Sequence, residues 1–319
     1  MTTTPDPADL SMPAQALLVE PADHPEPETE GPTRTTTVSR GQFADMWRRF
    51  RRNKLAMIGL GAVIVLVVLA LLQPVISPYD PYDQNLLNTL QTPDAAHWFG
   101  TDILGRDLFS GMLYGLQLAL IVGVATMLGS MFLGVALGAL AGYRGRFTDG
   151  LVMRITDIFL AFPYLIGAIL VVRTFGSGVI QVIIALVILG WPTAARLMRG
   201  QILALRESEY VEAARSIGAS DTRIVIRHIL PNAIQPVFIY SFTSIGVAVV
   251  AMASLAYLGV GVPSDTPEWG RLINQGIEQV QVAGKDYLWM FPSGAICVTT
   301  LAFAFVADGL RDALDPKLR

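Results

Sequence analysis

No charged residue interrupts the chain between residues 55 and 72, and the apolar run extends to about residue 76. A helix of that length crosses about 30 Å of hydrocarbon. Five further apolar stretches follow, at about 112–142, 151–172, 179–197, 234–260 and 288–307. The first of these five is long enough to be tilted or to include an interfacial turn. Lipid offers no hydrogen bonds to a backbone, so segments of this kind cross as helices that satisfy themselves. The expected fold class is therefore an all-α integral membrane protein with six transmembrane helices. Composition agrees: 52% of the residues are hydrophobic and 15% are charged, where a soluble domain carries about a quarter charged. The first apolar run is longer than the core of a signal peptide, and no small-x-small cleavage site follows it, so it reads as a span.

The charges between the runs alternate in sign. Short segments rich in arginine and lysine lie at 48–54, 144–154, 196–227 and 311–319. The other connections are acidic (78–111), nearly bare (173–178) or mixed with more acid than base (262–287). By the positive-inside rule, both termini and the stretch 209–232 are expected in the cytoplasm. Residues 1–40, rich in Pro, Thr and acids, read as a disordered cytoplasmic tail. Residues 41–76 read as an interfacial helix plus the first span, 77–111 as an extracytoplasmic segment, and 112–319 as a core of five more spans. Gly129, Gly134 and Gly138, with Ala136 and Ala139, form a small-residue stripe in the second span, suited to close helix packing.

Several chemistries are absent from the sequence. The only lysines are Lys54, Lys285 and Lys317, and none sits in a phosphate-binding G-x-x-x-x-G-K-[ST] loop. The histidines, His24, His97 and His228, lie far apart, and the single cysteine, Cys297, allows neither a disulfide framework nor a cysteine zinc site. No metal site, nucleophile elbow or catalytic set is visible, so a membrane enzyme is disfavoured. The net charge of -3 gives no reason to expect a nucleic-acid partner. Carboxylates in the spans are few, with Asp157 and Asp308 near span ends. An ion-coupled transporter keeps such groups near mid-membrane. Uphill transport by this chain would need another energy source.

The polar stretch 209–232, EYVEAARSIGASDTRIVIRHILPN, reads as two short helices. Ser208 is a suitable N-cap for the first and Gly218 a stop; Ser220 or Asp221 would cap the second, and Pro231 would end it before the fifth span. Helix, turn and helix is also the outline of a DNA-binding motif. Short tethers to flanking spans leave no room for a duplex and argue against that use.

Glu212-Ala213-Ala214, then Gly218, then Ile229-Leu230-Pro231 resembles the EAA loop of ABC-importer permeases. Four more stretches resemble one branch of them, the dipeptide/oligopeptide/nickel importer permeases, in their second subunit. They are RRNKLAMIGL from Arg51; His97 to Asp102 with Leu104-Gly105-Arg106-Asp107 and Ser110; Arg154-x-x-Asp157 with Phe162-Pro163; and Asp308 to Pro316. Together they run from about residue 40 to the end. His228 departs from the general EAA pattern, which often has an aliphatic residue there.

The resemblance implies a plasma-membrane permease that imports di- or oligopeptides, with nickel chelates, glutathione or haem as alternative solutes. It implies a second homologous permease, two ATP-binding subunits or one fused ATPase, and an extracytoplasmic substrate-binding protein as partners. ATP and Mg would be bound on the ATPases and no cofactor on this chain. The coupling residues carried over are Glu212, Ala213, Ala214, Gly218, Ile229, Leu230 and Pro231, with both alanines small enough for close approach. Asp102, Arg106 and Asp107 are candidates for a binding-protein contact or for a structural role outside the membrane. Phe162, Pro163 and Trp191 are candidates for the pathway. Arg154 and Asp157, one turn apart, suit an ion pair. Arg223 and Arg227 suit either the partner or lipid headgroups.

Overall fold

The computed structural model describes residues 42–279, 282 and 284–314. The tail 1–40 and the basic end 315–319 lie outside the described residues. Eleven α-helices are present among those described, with no strand beyond one isolated bridge between Thr101 and Asp107. They are α1 (Gln42–Arg52), α2 (Lys54–Ile76), α3 (Leu108–Arg144), α4 (Arg146–Ala161), α5 (Tyr164–Phe175), α6 (Val179–Leu205), α7 (Glu209–Ser216), α8 (Asp221–Arg223), α9 (Leu230–Tyr257), α10 (Trp269–Glu278) and α11 (Tyr287–Leu314). Helices α2, α3, α6 and α11, and the continuous segment Asp221–Tyr257 that contains α9, are each long and apolar enough to cross a membrane. Helices α4 and α5 add a sixth crossing only as a pair bent by 95°.

That bend falls at Phe162 and Pro163, inside the stretch expected to be the third span. Pro163 has no N–H to continue the helix, and the residue before a proline is pushed to extended backbone. Phe162 accordingly adopts φ -82° and ψ 131°.

The small-residue stripe of α3 lies against α6. A Cβ on Gly134 would stand 2.4 Å from the Ala194 Cβ, and one on Gly138 2.4 Å from the Ala195 carbonyl oxygen. Only glycine permits this approach, and dispersion between the two backbones replaces the hydrophobic drive that lipid removes. Helix α2 leans on α11 in the same way: Gly59 abuts Phe305, and Gly309 abuts Ala56. Much of the rest of α2 is exposed in the chain alone, including Ile58, Val65, Leu71 and Val75.

Helix α4 is tied to α6 by charge. Arg199 donates to both carboxylate oxygens of Asp149, the Nη2–Oδ2 contact being 2.6 Å, and Arg196 Nη2 donates to Asp157 Oδ1 at 2.7 Å. Asp157 therefore pairs across helices with Arg196 rather than with Arg154 on its own helix.

Candidate functional site

The stretch 209–232 has an inner and an outer face. Ser208 caps α7 through its backbone, its carbonyl accepting from Val211 and Glu212, while its hydroxyl donates back to the Leu205 carbonyl. The helix ends in a Schellman turn: Ala219 N–H donates to Ala214 O and Gly218 N–H to Arg215 O, with Gly218 at φ +81°. Val211, Ala214, Ile224 and Ile229 are buried with Met198, Ile202 and Val237 in one cluster under the loop. Tyr143 at the end of α3 donates to Asp221 Oδ1 at 2.6 Å and holds the second half in place.

The opposite face is open. Glu212, Ala213, Arg215 and Gly218 are exposed, and the apolar Ile217 at the tip is 86% exposed, with Ile226 and Tyr210 also bare. The two alanines thus do different things. Ala213 is on the surface, whereas Ala214, expected as a partner contact, packs inward; so does Ile229.

Pro231 does not end the second helix. Ile224–Ile229 forms a π-turn, in which Leu230 N–H donates to Val225 O, and α9 runs on from it. The wider turn accommodates a residue that cannot donate, and Pro231 sits in the first turn of α9, where a missing N–H costs least.

Asp102, Arg106 and Asp107 are brought together, and all three are buried. Asp107 caps α3, accepting from Ser110 N–H and Oγ, and also lies 2.9 Å from His97 Nδ1. Asp102 accepts from the backbone N–H of Leu104 and Arg106 and from Arg106 Nε at 2.7 Å. Arg106 Nη1 reaches the Asp265 carbonyl at 2.8 Å. The contacts these three side chains make are all within the chain, and Arg106 ties the 102–107 turn to the backbone at Asp265.

Glu268, which the sequence did not single out, is buried beside them. It caps α10, accepting from Gly270 and Arg271 N–H. Burial lifts its pKa from the ordinary 4.5 to about 7, against the pull of those two N–H groups and the Arg271 charge.

The pathway candidates separate. Phe162 and Pro163 form the exposed elbow between α4 and α5, while Trp191 is buried and stacks edge-on to Phe159, ring centroids 5.7 Å apart. Behind the elbow is a partly open cavity of about 150 Å³ between α3, α4, α5, α6 and α9, lined by Thr126, Ser130, Leu160, Tyr164, Thr193 and Tyr240 among others. Among the described residues no cluster of three His, Cys, Asp or Glu side chains could hold a metal.

The helical layout is that of a multi-pass membrane protein with one polar loop left open. Residues 134–319 match the family described as binding-protein-dependent transport system inner membrane component, and residues 41–93 match the N-terminal TM domain of oligopeptide transport permease C. The chain belongs to this family of ABC-importer permeases and is a multi-pass plasma-membrane transport subunit, not an enzyme. It is 41% identical to the oligopeptide transport system permease protein OppC of Bacillus subtilis, over 87% of this chain and 90% of that one. It is 44% identical to the glutathione transport system permease protein GsiD of Escherichia coli O157:H7 over 88% and 92%. It is 37% identical to the dipeptide transport system permease protein DppC of Alkalihalophilus pseudofirmus over 96% and 98%. The fold is similar to a chain of the MetNI methionine ABC transporter in an inward-facing conformation, with a TM-score of 0.51 at 18% identity, over 64% of this chain and 97% of that one.

Proposed function

We propose that this chain imports short peptides, driven by ATP hydrolysed on separate subunits that dock on the open face of 209–232. The observation that carries the docking is the division of that loop. Val211 and Ala214 anchor it to the chain's own core, while Glu212, Ala213, Arg215, Ile217 and Gly218 face outward with a bare apolar tip. An ATPase subunit docked here would cover Ile217, Ile226 and Tyr210, the exposed apolar side chains of the loop. On this reading the loop and both termini are cytoplasmic, 77–111 is extracytoplasmic, and a sister permease completes the passage. An extracytoplasmic binding protein delivers the solute, and ATP and Mg bind only to the ATPases. Gly218→Arg puts a side chain on positive φ and disrupts the turn. It should abolish uptake and ATPase association while the spans still insert; uptake at the wild-type level would overturn the docking.

Peptides as solutes are supported by the oligopeptide and dipeptide permeases among the relatives. The higher identity to the glutathione permeases supports glutathione, itself a peptide, as a second reading. Uptake of a labelled tripeptide competed by excess glutathione, in the assembled transporter, decides between them. Competition by glutathione at lower concentration than by the unlabelled tripeptide favours the second.

A further inference from the structure

We propose that the partly open cavity behind the α4–α5 elbow is a subsite for uncharged amide groups of the passing solute. This rests on the peptide reading above. Four observations carry it. First, the cavity wall is rich in hydroxyls, from Thr126 and Ser130 on α3, Tyr164 on α5, Thr193 on α6 and Tyr240 and Ser244 on α9, and its lining holds no acid, base or histidine. A charged ligand would be stripped of water there with no counter-charge, whereas a hydroxyl both donates and accepts. An amide needs that combination: an acceptor for its N–H and a donor for its C=O.

Second, Thr126 Oγ1 is buried, with the residue only 4% exposed, and has no hydrogen-bond partner. An unmatched buried hydroxyl is costly, and a solute amide that matched it would relieve that cost. Third, Ser244 on α9 satisfies its proton on its own helix, donating to Ser241 O at 2.7 Å, and keeps its acceptor capacity. The wall therefore offers an acceptor at Ser244 and, at Thr126, an unpaired hydroxyl that one χ1 rotation turns toward the cavity.

Fourth, Leu160 and Tyr164 line the cavity from the two sides of the break at Phe162 and Pro163. Broken backbone at membrane depth persists where it is buried in protein or borders a polar cavity, and transporters commonly place solute sites at such breaks. At about 150 Å³ the cavity accommodates a few waters or one peptide unit and is too small for a whole oligopeptide. It suits stepwise handling of a backbone.

The test uses the complete transporter in liposomes, with sister permease, ATPases and binding protein. Uptake of a tripeptide and of the same tripeptide N-methylated at both amides is measured for wild type, Thr126→Val and Thr126→Ser. Each variant is expressed as a ratio to wild type, which cancels the binding protein's own preference. Thr126→Val should lower uptake of the unmethylated peptide about tenfold, the worth of one hydrogen bond. The methylated peptide should fall less, and Thr126→Ser should restore the wild-type ratio. Wild-type uptake by Thr126→Val, or an equal loss for both peptides, overturns the subsite. Should Thr126→Val fail to assemble, Ser244→Ala is read by the same criteria. A wild-type complex that couples ATP hydrolysis to its binding protein yet takes up no peptide sinks the peptide reading and the subsite with it. Peptide uptake with unaffected variants sinks the subsite alone.

Discussion

Arg199 of α6 grips both carboxylate oxygens of Asp149 on α4, fifty positions away in the chain. Arg196 repeats the contact with Asp157 one turn earlier on the same helix. The two pairs fix the lower half of the broken span to α6. Beyond the elbow, α5 carries no ion pair among the described residues and is held to α6 by apolar packing, Ala168 and Val172 lying in one cluster with Val182, Ala185 and Leu186.

A lysine cannot reproduce the two-point geometry of a guanidinium. Arg199→Lys should therefore lower the melting temperature of the purified chain, at a cost of about 1 kcal/mol. Asp149→Asn should cost a similar amount, and the double variant no more than either alone, because both remove one interaction. Additive losses in a thermal-shift series would show that the pair does not couple.

The α3–α6 seam predicts a contrast between two glycines. Gly138→Ala drives a methyl against the Ala195 backbone oxygen, which cannot rotate away. It should cost about 1–3 kcal/mol. Gly150 on α4 has nothing within 4 Å of its Cβ position, so Gly150→Ala should be neutral or stabilising, by up to about 1 kcal/mol. Equal melting temperatures for the two variants would contradict the seam.

Glu268 makes stability depend on pH. In the folded chain its carboxyl keeps a proton up to about 7, whereas the unfolded chain releases it near 4.5. Between those values the folded state binds more protons, so stability falls as pH rises. Above pH 7 the loss is complete and amounts to about 3 kcal/mol at 1.36 kcal/mol per pH unit. Glu268→Gln keeps a carbonyl to accept from the N–H groups of Gly270 and Arg271 and has no proton to lose. Its melting temperature should stay level from pH 5 to pH 8 while that of the wild type declines. Parallel curves would remove Glu268 as the cause.

How much of this was legible follows from how local each signal is. The crossings were readable because hydropathy over a window needs no partner. The Schellman turn at Gly218 was readable because helix stops are written in adjacent residues. The elbow was half-readable: Phe162 and Pro163 stood out, but a proline inside α6, Pro192, leaves that helix continuous. Composition alone does not say which proline breaks a span. The partners of Arg106 and Asp157 were not legible. Arg106 donates to the Asp265 carbonyl 159 positions away, and Asp157 chooses Arg196 over a nearer arginine. Both choices depend on which helices touch. Nor could the inward turn of Ala214 be read from its neighbour Ala213, since a hundred degrees of helix rotation separates them.

That last difference supplies a test of the loop that separates folding from docking. Val211 is fully buried on the inner face of α7 and Ile217 is almost bare at its tip. Val211→Asp buries an unpaired carboxylate in the cluster with Met198 and Ile202, and should lower the melting temperature of the isolated chain by several degrees. Ile217→Asp touches nothing within the chain, so the isolated chain should melt as the wild type does. If the tip is covered by an ATPase subunit, the same Ile217→Asp chain should fail to retain that subunit on co-purification, and uptake should fall with it. Retention of the ATPase by Ile217→Asp, at wild-type yield, would mean that the partner docks elsewhere on the chain and that the bare isoleucine has no part in coupling.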